Sequence, residues 1–256
     1  MLTATLFSSH VALKGPRDQL LALWLNGCYG RGDGDDLRAK RDTPRHQAAN
    51  TTSNAINAPT TTATSELDSE IEKQSERILS LVETAHLLMD GLLVLVQSLG
   101  GQSWVVDFHL QGSSDSNGQT MLSAIVHNCV MDGSMSAFAA KLAVYRLLRT
   151  KGWVVRDGVR FGAEYVLYKP GGPLKYHADY AVHVHMVGRH SPVSWRQILA
   201  TIRFTEQAKK KMLHISVSVP QLKANGNGGS LEQDFVTSLD SSDASIRMLQ
   251  VSRWVP

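Results

Sequence analysis

The spacing of apolar residues predicts the clearest helix of the chain in the stretch SMSAFAAKLAVYRLLRTKG, residues 134–152. Large apolar side chains recur there every three or four positions, which places them on one face of a helix. The residues of this face are Phe138, Leu142, Tyr145 and Leu148. Gly152 is the expected stop signal, because glycine readily adopts the left-handed backbone that ends many helices.

A second amphipathic helix is predicted from about Ser194 to Lys211. Ser191 or Ser194 is its expected N-cap, because a serine hydroxyl can accept a hydrogen bond from a free amide of the first turn. The expected buried stripe consists of Trp195, Ile198, Leu199 and Ile202.

Short apolar runs with alternating polar positions predict strands around these two helices. The expected strands are residues 153–157, 161–169, 180–187, 212–219 and 246–255. The turn sequences DG and KPGGP separate the first three of them. A helix, three strands, a helix and two strands predict an α/β domain with a mixed sheet over residues 132–256.

The amino-terminal half has weaker patterns. Residues 30–65 are poor in large apolar side chains, which is typical of a disordered linker, so we expect residues 1–65 to be poorly structured. Residues 66–98 show helical spacing and predict one or two helices, with Ser65 as the cap and Gly91 as a break.

Two further apolar runs, residues 103–109 and 121–130, flank a turn-rich segment and predict a pair of strands. Together with the helices of the preceding stretch, they predict a small α+β domain over residues 66–131.

Charge divides the chain into two unlike halves. Residues 1–135 contain 9 Lys and Arg against 15 Asp and Glu, whereas residues 136–256 contain 17 against 8, a net charge of +9. A basic domain of this kind favours a nucleic acid or another anionic surface as partner.

Several classes of protein lack their signatures here. Cys28 and Cys129 are far apart and belong to no Cys or His cluster, so neither a disulfide framework nor a zinc site is predicted. The most apolar run, residues 86–99, is interrupted by Asp90 and is shorter than the roughly 20 residues that span a bilayer, so no membrane insertion is expected. The sequence also contains no phosphate-binding glycine loop, zinc-protease motif or serine-hydrolase motif.

A metal-dependent nuclease would need paired carboxylates on neighbouring strands. Residues 180–187 and 212–219 contain neither Asp nor Glu, which disfavours that chemistry. What remains is a Tyr, a His and a Lys near the ends of successive predicted elements, namely Tyr168, His177 and Lys210.

Three runs of the carboxy-terminal half, within residues 136–256, resemble the catalytic domain of tRNA-splicing endonucleases, also called tRNA-intron lyases. They are GWVVRDGVRFGAEYVLYKPGGPLKYHADYAVHV, SWRQILATIRFTEQAKKKML and SRWVP. The turn KPGGPLKYHADY looks most like the eukaryotic subunit that cuts the 5′ splice site. The resemblance implies a metal-free site without a cofactor, in which Tyr168 is the base, His177 the acid and Lys210 the cation.

The same resemblance implies how RNA is held and where the protein works. Arg203 and Trp254, with Arg253 as a substitute for the latter, would hold a base by stacking. Arg203 lies seven residues before Lys210, so we expect both on one helix face, roughly 10 Å apart along the axis. The implied partners are precursor tRNA and other endonuclease subunits, in a hetero-oligomer in the nucleus.

The expected reaction is cleavage of RNA by attack of its own 2′-hydroxyl, which gives a 2′,3′-cyclic phosphate and a 5′-hydroxyl. A tyrosine, with an ordinary pKa of about 10, is a poor base unless cations lower that pKa, and Lys210 is the expected cation. Two alternatives stay open: a non-catalytic structural or RNA-binding subunit of the same complex, and a metal-dependent DNA nuclease on a related α/β fold.

Overall fold

The protein is described by a computed structural model over residues 1–32, 76–100, 102–108, 119–131, 134–187, 193–218 and 245–252. The described helices are α1 Arg17–Gly27, α2 Leu81–Met89, α3 Gln119–Met131, α4 Met135–Thr150, the single turn α5 Gly172–Lys175 and α6 Trp195–Gln207, with a 3-10 turn at Val159–Phe161. Among them, none is long and apolar enough to cross a bilayer.

The amino-terminal sheet is five-stranded with the order β3-β2-β1-β5-β4, and each neighbouring pair is antiparallel. Its strands are β1 Leu2–Leu6, β2 His10–Lys14, β3 Glu76–Ser80, β4 Leu93–Gly100 and β5 Ser103–Phe108. In β1, Leu2, Ala4 and Leu6 are buried while the two threonines between them are not. This alternation is what a sheet with one face on the core requires.

The carboxy-terminal sheet is also five-stranded, with the order β10-β9-β8-β7-β6. Its strands are β6 Val154–Asp157, β7 Tyr165–Tyr168, β8 Tyr180–Met186, β9 Lys211–Ser218 and β10 Ser245–Val251. Strands β8 and β9 are parallel, and the other pairs are antiparallel. Helix α6 provides the crossover that two parallel strands need. The predicted mixed α/β class is therefore confirmed.

A single hydrophobic core joins the two sheets. Helix α2 packs on the amino-terminal sheet, α4 packs on the carboxy-terminal sheet, and the two helices pack against each other. One continuous cluster of buried side chains contains Leu79 of β3, Leu142 of α4 and Ile215 of β9, each fully buried. Helix α4 has the predicted buried face, and Gly152 has the positive φ (+83°) expected of its stop signal.

The expectation that residues 1–65 are poorly structured is wrong for residues 1–32, which form β1, β2 and α1. Strand β1 pairs with β5, about a hundred positions later in the sequence. The alternation of LTATL is a local signal for a strand, but it does not show which distant strand will cover its buried face. Residues 33–65 lie outside the described part of the chain.

The prediction of one or two helices over residues 66–98 is only partly right, because α2 lies between strands β3 and β4. Ser80, rather than Ser65, caps α2: its hydroxyl accepts a hydrogen bond from the Glu83 amide at 3.1 Å, and Glu83 accepts one from the Ser80 amide at 3.0 Å. This is a capping box. Ser65 itself lies outside the described residues.

Residues 121–130, predicted as a strand, are part of helix α3. Met121, Leu122, Ile125, Val126 and Cys129 are buried, which is a helical spacing. A short continuous apolar run fits a buried strand and a buried helix equally well, so periodicity alone could not decide between them.

The predicted buried stripe of α6 is wrong in its first turns. Ser194 is the cap as expected, but Trp195 is 67% exposed and Leu199 is 36% exposed. Only Ile202 and Thr205 are buried. The helix therefore packs through its carboxy-terminal half. Which half packs depends on the position of β9, which the periodicity of the helix does not indicate.

Candidate active site

Tyr168, His177 and Lys210 lie at the same end of the carboxy-terminal sheet. Tyr168 is the last residue of β7, His177 precedes β8, and Lys210 directly precedes β9. Two backbone hydrogen bonds connect the neighbouring strand ends. In the first, the Asp179 amide donates to the Leu167 carbonyl at 2.9 Å. The Lys211 amide donates in turn to the Asp179 carbonyl at 3.0 Å. Each candidate residue is thus within two positions of one short hydrogen-bonded ladder.

Tyr168 is half-buried. It faces Val154 across the β6–β7 ladder and packs against a small cluster formed by Trp24, Cys28 and Val154. We call this group the Trp24 cluster. Its first two members come from α1 and the residue that follows it, so the amino-terminal unit contributes directly to the surroundings of Tyr168.

His177 is exposed and follows what we call the glycine turn, residues 169–176. The turn closes on itself, because the Tyr176 amide donates to the Gly172 carbonyl at 3.0 Å. Next to His177, the carboxylate of Asp179 lies 3.7 Å from the ammonium of Lys169. An ion pair therefore joins the start of the turn to the residue before β8, although both of its side chains are exposed and its contribution to stability is small.

Lys210 is held by the geometry that ends α6. Lys209 has a positive φ of 54°, and its amide donates to the Glu206 carbonyl at 2.9 Å. The Lys210 amide donates to the Thr205 carbonyl at 3.0 Å. This pair of bonds is a Schellman motif, which satisfies carbonyls that the helix end would leave without a partner. The Lys210 ammonium lies 4.4 Å from the centre of the Phe161 ring, against the 3-10 turn before β7.

The candidate RNA-binding residues are only partly described. Arg203 is exposed on α6, while Arg253 and Trp254 lie outside the described residues. The expectation that Arg203 and Lys210 share a helix face is wrong, because α6 ends at Gln207 and the positive φ of Lys209 turns the chain away from the helix axis.

Three other histidines line the same sheet. His183 and His185 of β8 and His214 of β9 are not fully exposed, and the rings of His185 and His214 stack with centres 5.9 Å apart. Burial lowers the pKa of His183, and it also lowers that of His214, where His185 adds to the effect. Within the described ranges, no group of three or more His, Cys, Asp or Glu side chains is arranged to hold a metal ion.

The carboxy-terminal residues match a known family. Residues 138–222 match the family model described as the tRNA intron endonuclease, catalytic C-terminal domain. These residues belong to the tRNA-intron endonuclease family. The resemblance inferred from the sequence is therefore confirmed, and the matched range contains four of the six candidate residues: Tyr168, His177, Arg203 and Lys210.

Known members of the tRNA-intron endonuclease family resemble the chain at moderate identity. The probable tRNA-splicing endonuclease subunit sen2 of Schizosaccharomyces pombe is 32% identical over 127 residues, which cover 46% of this chain and 33% of that protein. Subunit Sen2 of Rattus norvegicus is 27% identical over 124 residues, 46% of this chain and 25% of that protein. The tRNA-splicing endonuclease of Sulfurisphaera tokodaii is 28% identical over 142 residues, 56% of this chain and 66% of that protein. The matched part thus spans a quarter to a third of the two eukaryotic relatives.

Sequence reasoning missed the Trp24 cluster beside the endonuclease domain. Trp24 and Cys28 precede the matched range by more than a hundred positions. They are four apart on the helical repeat, so they can share one face of α1 and its end. That spacing was the one local signal, and it indicates a buried face without saying what the face covers.

Proposed function

We propose that the chain is an endoribonuclease subunit that cleaves intron-containing precursor tRNA at a splice site. The observation that carries the proposal is the position of Tyr168, His177 and Lys210 beside one backbone ladder at a single end of the sheet. The names of the relatives, which are tRNA-splicing endonucleases or subunits of them, support the choice of substrate.

The proposed reaction needs a base, an acid and a cation. Tyr168 takes the proton of the 2′-hydroxyl, whose oxygen attacks the adjacent phosphorus. His177 gives a proton to the departing 5′-oxygen, and Lys210 stabilises the extra negative charge on the phosphorane. The bond from phosphorus to the 5′-oxygen breaks, which leaves a 2′,3′-cyclic phosphate and a 5′-hydroxyl. Histidine suits this role because the imidazole side chain can give up a proton to the leaving oxygen and take one up again.

The net charge of +9 over residues 136–256 supports an RNA substrate, because a basic surface attracts the phosphate backbone. Arg203 is exposed on α6 and is proposed to stack on a base, with Trp254 or Arg253 as the second contact. Assembly with other subunits, as the relatives' names suggest, and location in the nucleus complete the proposal.

The proposal is tested with the full chain purified together with its associated subunits. A precursor tRNA is cut in the presence of a strong chelator, and the product ends are analysed. We expect cleavage to persist, and His177→Ala to slow it by roughly 100- to 10,000-fold, the usual contribution of a general acid. His127→Ala is the matched control, because His127 is exposed on α3, outside the family domain.

A precursor with a 2′-deoxy nucleotide at the scissile position must resist cleavage, because it lacks the attacking hydroxyl. Activity that disappears in chelator, or undiminished cutting of the deoxy substrate, would indicate a metal-dependent nuclease instead. If the purified assembly cuts equally well with the wild-type chain and with His177→Ala, the chain is a structural or RNA-binding subunit.

A further inference from the structure

The Trp24 cluster touches the beginning and the middle of the segment that connects Tyr168 to His177. Tyr168 and Leu174 pack against it from the carboxy-terminal domain, and Leu21 packs against it from α1. Leu174 belongs to α5, inside the glycine turn. The amino-terminal helix therefore lies against the beginning and the middle of a segment whose two ends hold the proposed base and acid.

The end of α1 is fixed by arginines from three other elements. Arg149 of α4 donates to the Gly27 carbonyl at 2.6 Å. Arg156 of β6 donates to the Cys28 and Gly30 carbonyls, and Arg77 of β3 donates to the Gly30 carbonyl at 3.2 Å. The last carbonyls of a helix have no partner within it, and here guanidinium groups supply hydrogen bonds to that region of the chain.

Trp24 is fixed in the same way. The guanidinium carbons of Arg77 and Arg156 lie 4.6 Å and 5.0 Å from the centre of its ring, within the range of cation–π attraction. The indole is 2% exposed. The arginines are thus held by backbone carbonyls and the ring by the arginines, so the indole in the cluster that Tyr168 packs against is itself anchored to two other elements, β3 and β6.

Gly172 is where the glycine turn meets this surface. Its φ is +61°, and a Cβ added there would lie 2.4 Å from the Sγ atom of Cys28. Real Cβ atoms do not approach other atoms so closely, so a side chain at this position would push the turn away from α1. The turn and Cys28 are thus in direct steric contact.

We propose that Trp24 and Cys28 are positioning residues that set the relative placement of Tyr168 and the turn leading to His177. This inference rests on the proposed function, since it matters for catalysis only if Tyr168 and His177 carry out the reaction. Neither residue touches the reacting atoms in this scheme. Both act by holding the catalytic segment from outside the family domain.

The test uses the steric contact at Gly172 and measures cleavage of precursor tRNA by the full chain with its associated subunits. Gly172→Ala is expected to lower the single-turnover cleavage rate by roughly 10- to 100-fold, because a displacement of about 1 Å can have that effect. KM is expected to change less than about twofold, since the substitution moves reacting groups and not the bulk of the RNA-binding surface.

Gly152→Ala is the matched control. Gly152 also has a positive φ (+83°), but no atom lies within 4 Å of an added Cβ, so this variant introduces the backbone strain without the collision. The double variant Cys28→Ala with Gly172→Ala removes the sulfur that the new methyl group strikes. It is expected to recover part of the lost rate, because the collision is relieved although the positioning contact of Cys28 is also lost. A general loss of stability would instead add to the effect of Gly172→Ala.

Two results would overturn the inference: a double variant as slow as Gly172→Ala, or a Gly152→Ala variant that is slowed to the same extent. A second measurement covers the case in which Gly172→Ala fails to fold. Trp24→Leu must then slow cleavage with little change in KM, while Trp104→Leu, which alters a buried tryptophan of β5, must not. If Tyr168→Phe and His177→Ala retain full activity, the proposed function is wrong. If those two variants are inactive while the Gly172 and Trp24 variants cleave at the wild-type rate, the proposed function stands and only the positioning role is wrong.

Discussion

At the scale of single residues, three consecutive lysines occupy three different environments. Lys209 is exposed and has a positive φ, Lys210 is half-buried with its ammonium on Phe161, and Lys211 begins β9 with its ammonium 5.9 Å from the Tyr180 ring. The backbone turn at Lys209 separates side chains that adjoin in the sequence. Each lysine can therefore be tested alone.

Lys210→Ala is predicted to slow the cleavage step by about 100- to 1,000-fold, the usual effect of removing one group that stabilises transition-state charge. Lys209→Ala and Lys211→Ala serve as controls and are expected to change the rate by no more than about twofold, as surface substitutions usually do. Single-turnover rates at saturating precursor tRNA measure the effect. A larger loss of rate in Lys211→Ala than in Lys210→Ala would show that Lys210 is not the stabilising cation.

At the scale of elements, the sequence predicted what local periodicity can determine. Helix α4 has an unbroken apolar face, and strands β6, β7 and β8 are short runs between strong turn signals. Strand β3 was missed because Arg77 is buried and its neighbour Ile78 is 43% exposed, the reverse of what hydrophobicity suggests. Arg77 is buried because Trp24 and the carbonyls of residues 29 and 30 surround it, and those contacts are long-range.

The candidate site divides in the same way. The resemblance of one stretch of the sequence to the family's motif selected Tyr168, His177 and Lys210 as candidates, because the motif lies within one continuous run of strand, turn and helix. The contact of Trp24 and Cys28 with this region could not be predicted from a motif, because it results from the packing of α1 on a segment far away in the sequence. The candidate residues thus follow from the motif resemblance, and the side chains that pack around them follow from tertiary packing.

Helix α2 carries a histidine whose burial makes stability depend on pH. The Nε2 atom of His86 lies 3.4 Å from the Tyr29 hydroxyl, and its ring meets Tyr145 of α4 edge-on. Burial lowers the pKa of His86 to about 4, with Asp90 opposing this and Arg149 adding to it. Its contact with Asp90, 3.4 Å away, is therefore not an ion pair at neutral pH.

In the unfolded chain His86 has an ordinary pKa near 6.5, so below that pH the unfolded state binds a proton that the folded state does not. Stability is predicted to fall as the pH drops from about 6.5 towards 4, and His86 accounts for about 2 kcal/mol of the loss between pH 7 and pH 5. Urea unfolding at both pH values measures it. His86→Gln should reduce the pH dependence and the control His127→Gln should not; an unchanged dependence in His86→Gln would contradict the prediction.

At the scale of the whole molecule, the two sheets share one core, although only the carboxy-terminal part matches the endonuclease family model. Helices α2 and α4 pack against each other between them. Side chains of α1 and the residue after it pack with Tyr168 and Leu174 of the carboxy-terminal part. Among the described residues, separating the two sheets would expose buried side chains of the common cluster to water, so the two sheets are expected to stabilise each other.

The shared core predicts a single cooperative unfolding transition to which both sheets contribute. Leu79 of β3 and Ile215 of β9 are both fully buried in the common cluster, so truncating either to alanine should cost about 2 to 5 kcal/mol. Both variants should lower the same urea midpoint, followed by tryptophan fluorescence and by circular dichroism. Leu25→Ala is the control, because Leu25 is 64% exposed and its truncation should shift stability by less than about 0.5 kcal/mol. Two separate transitions, each lowered by only one substitution, would mean that the sheets unfold independently.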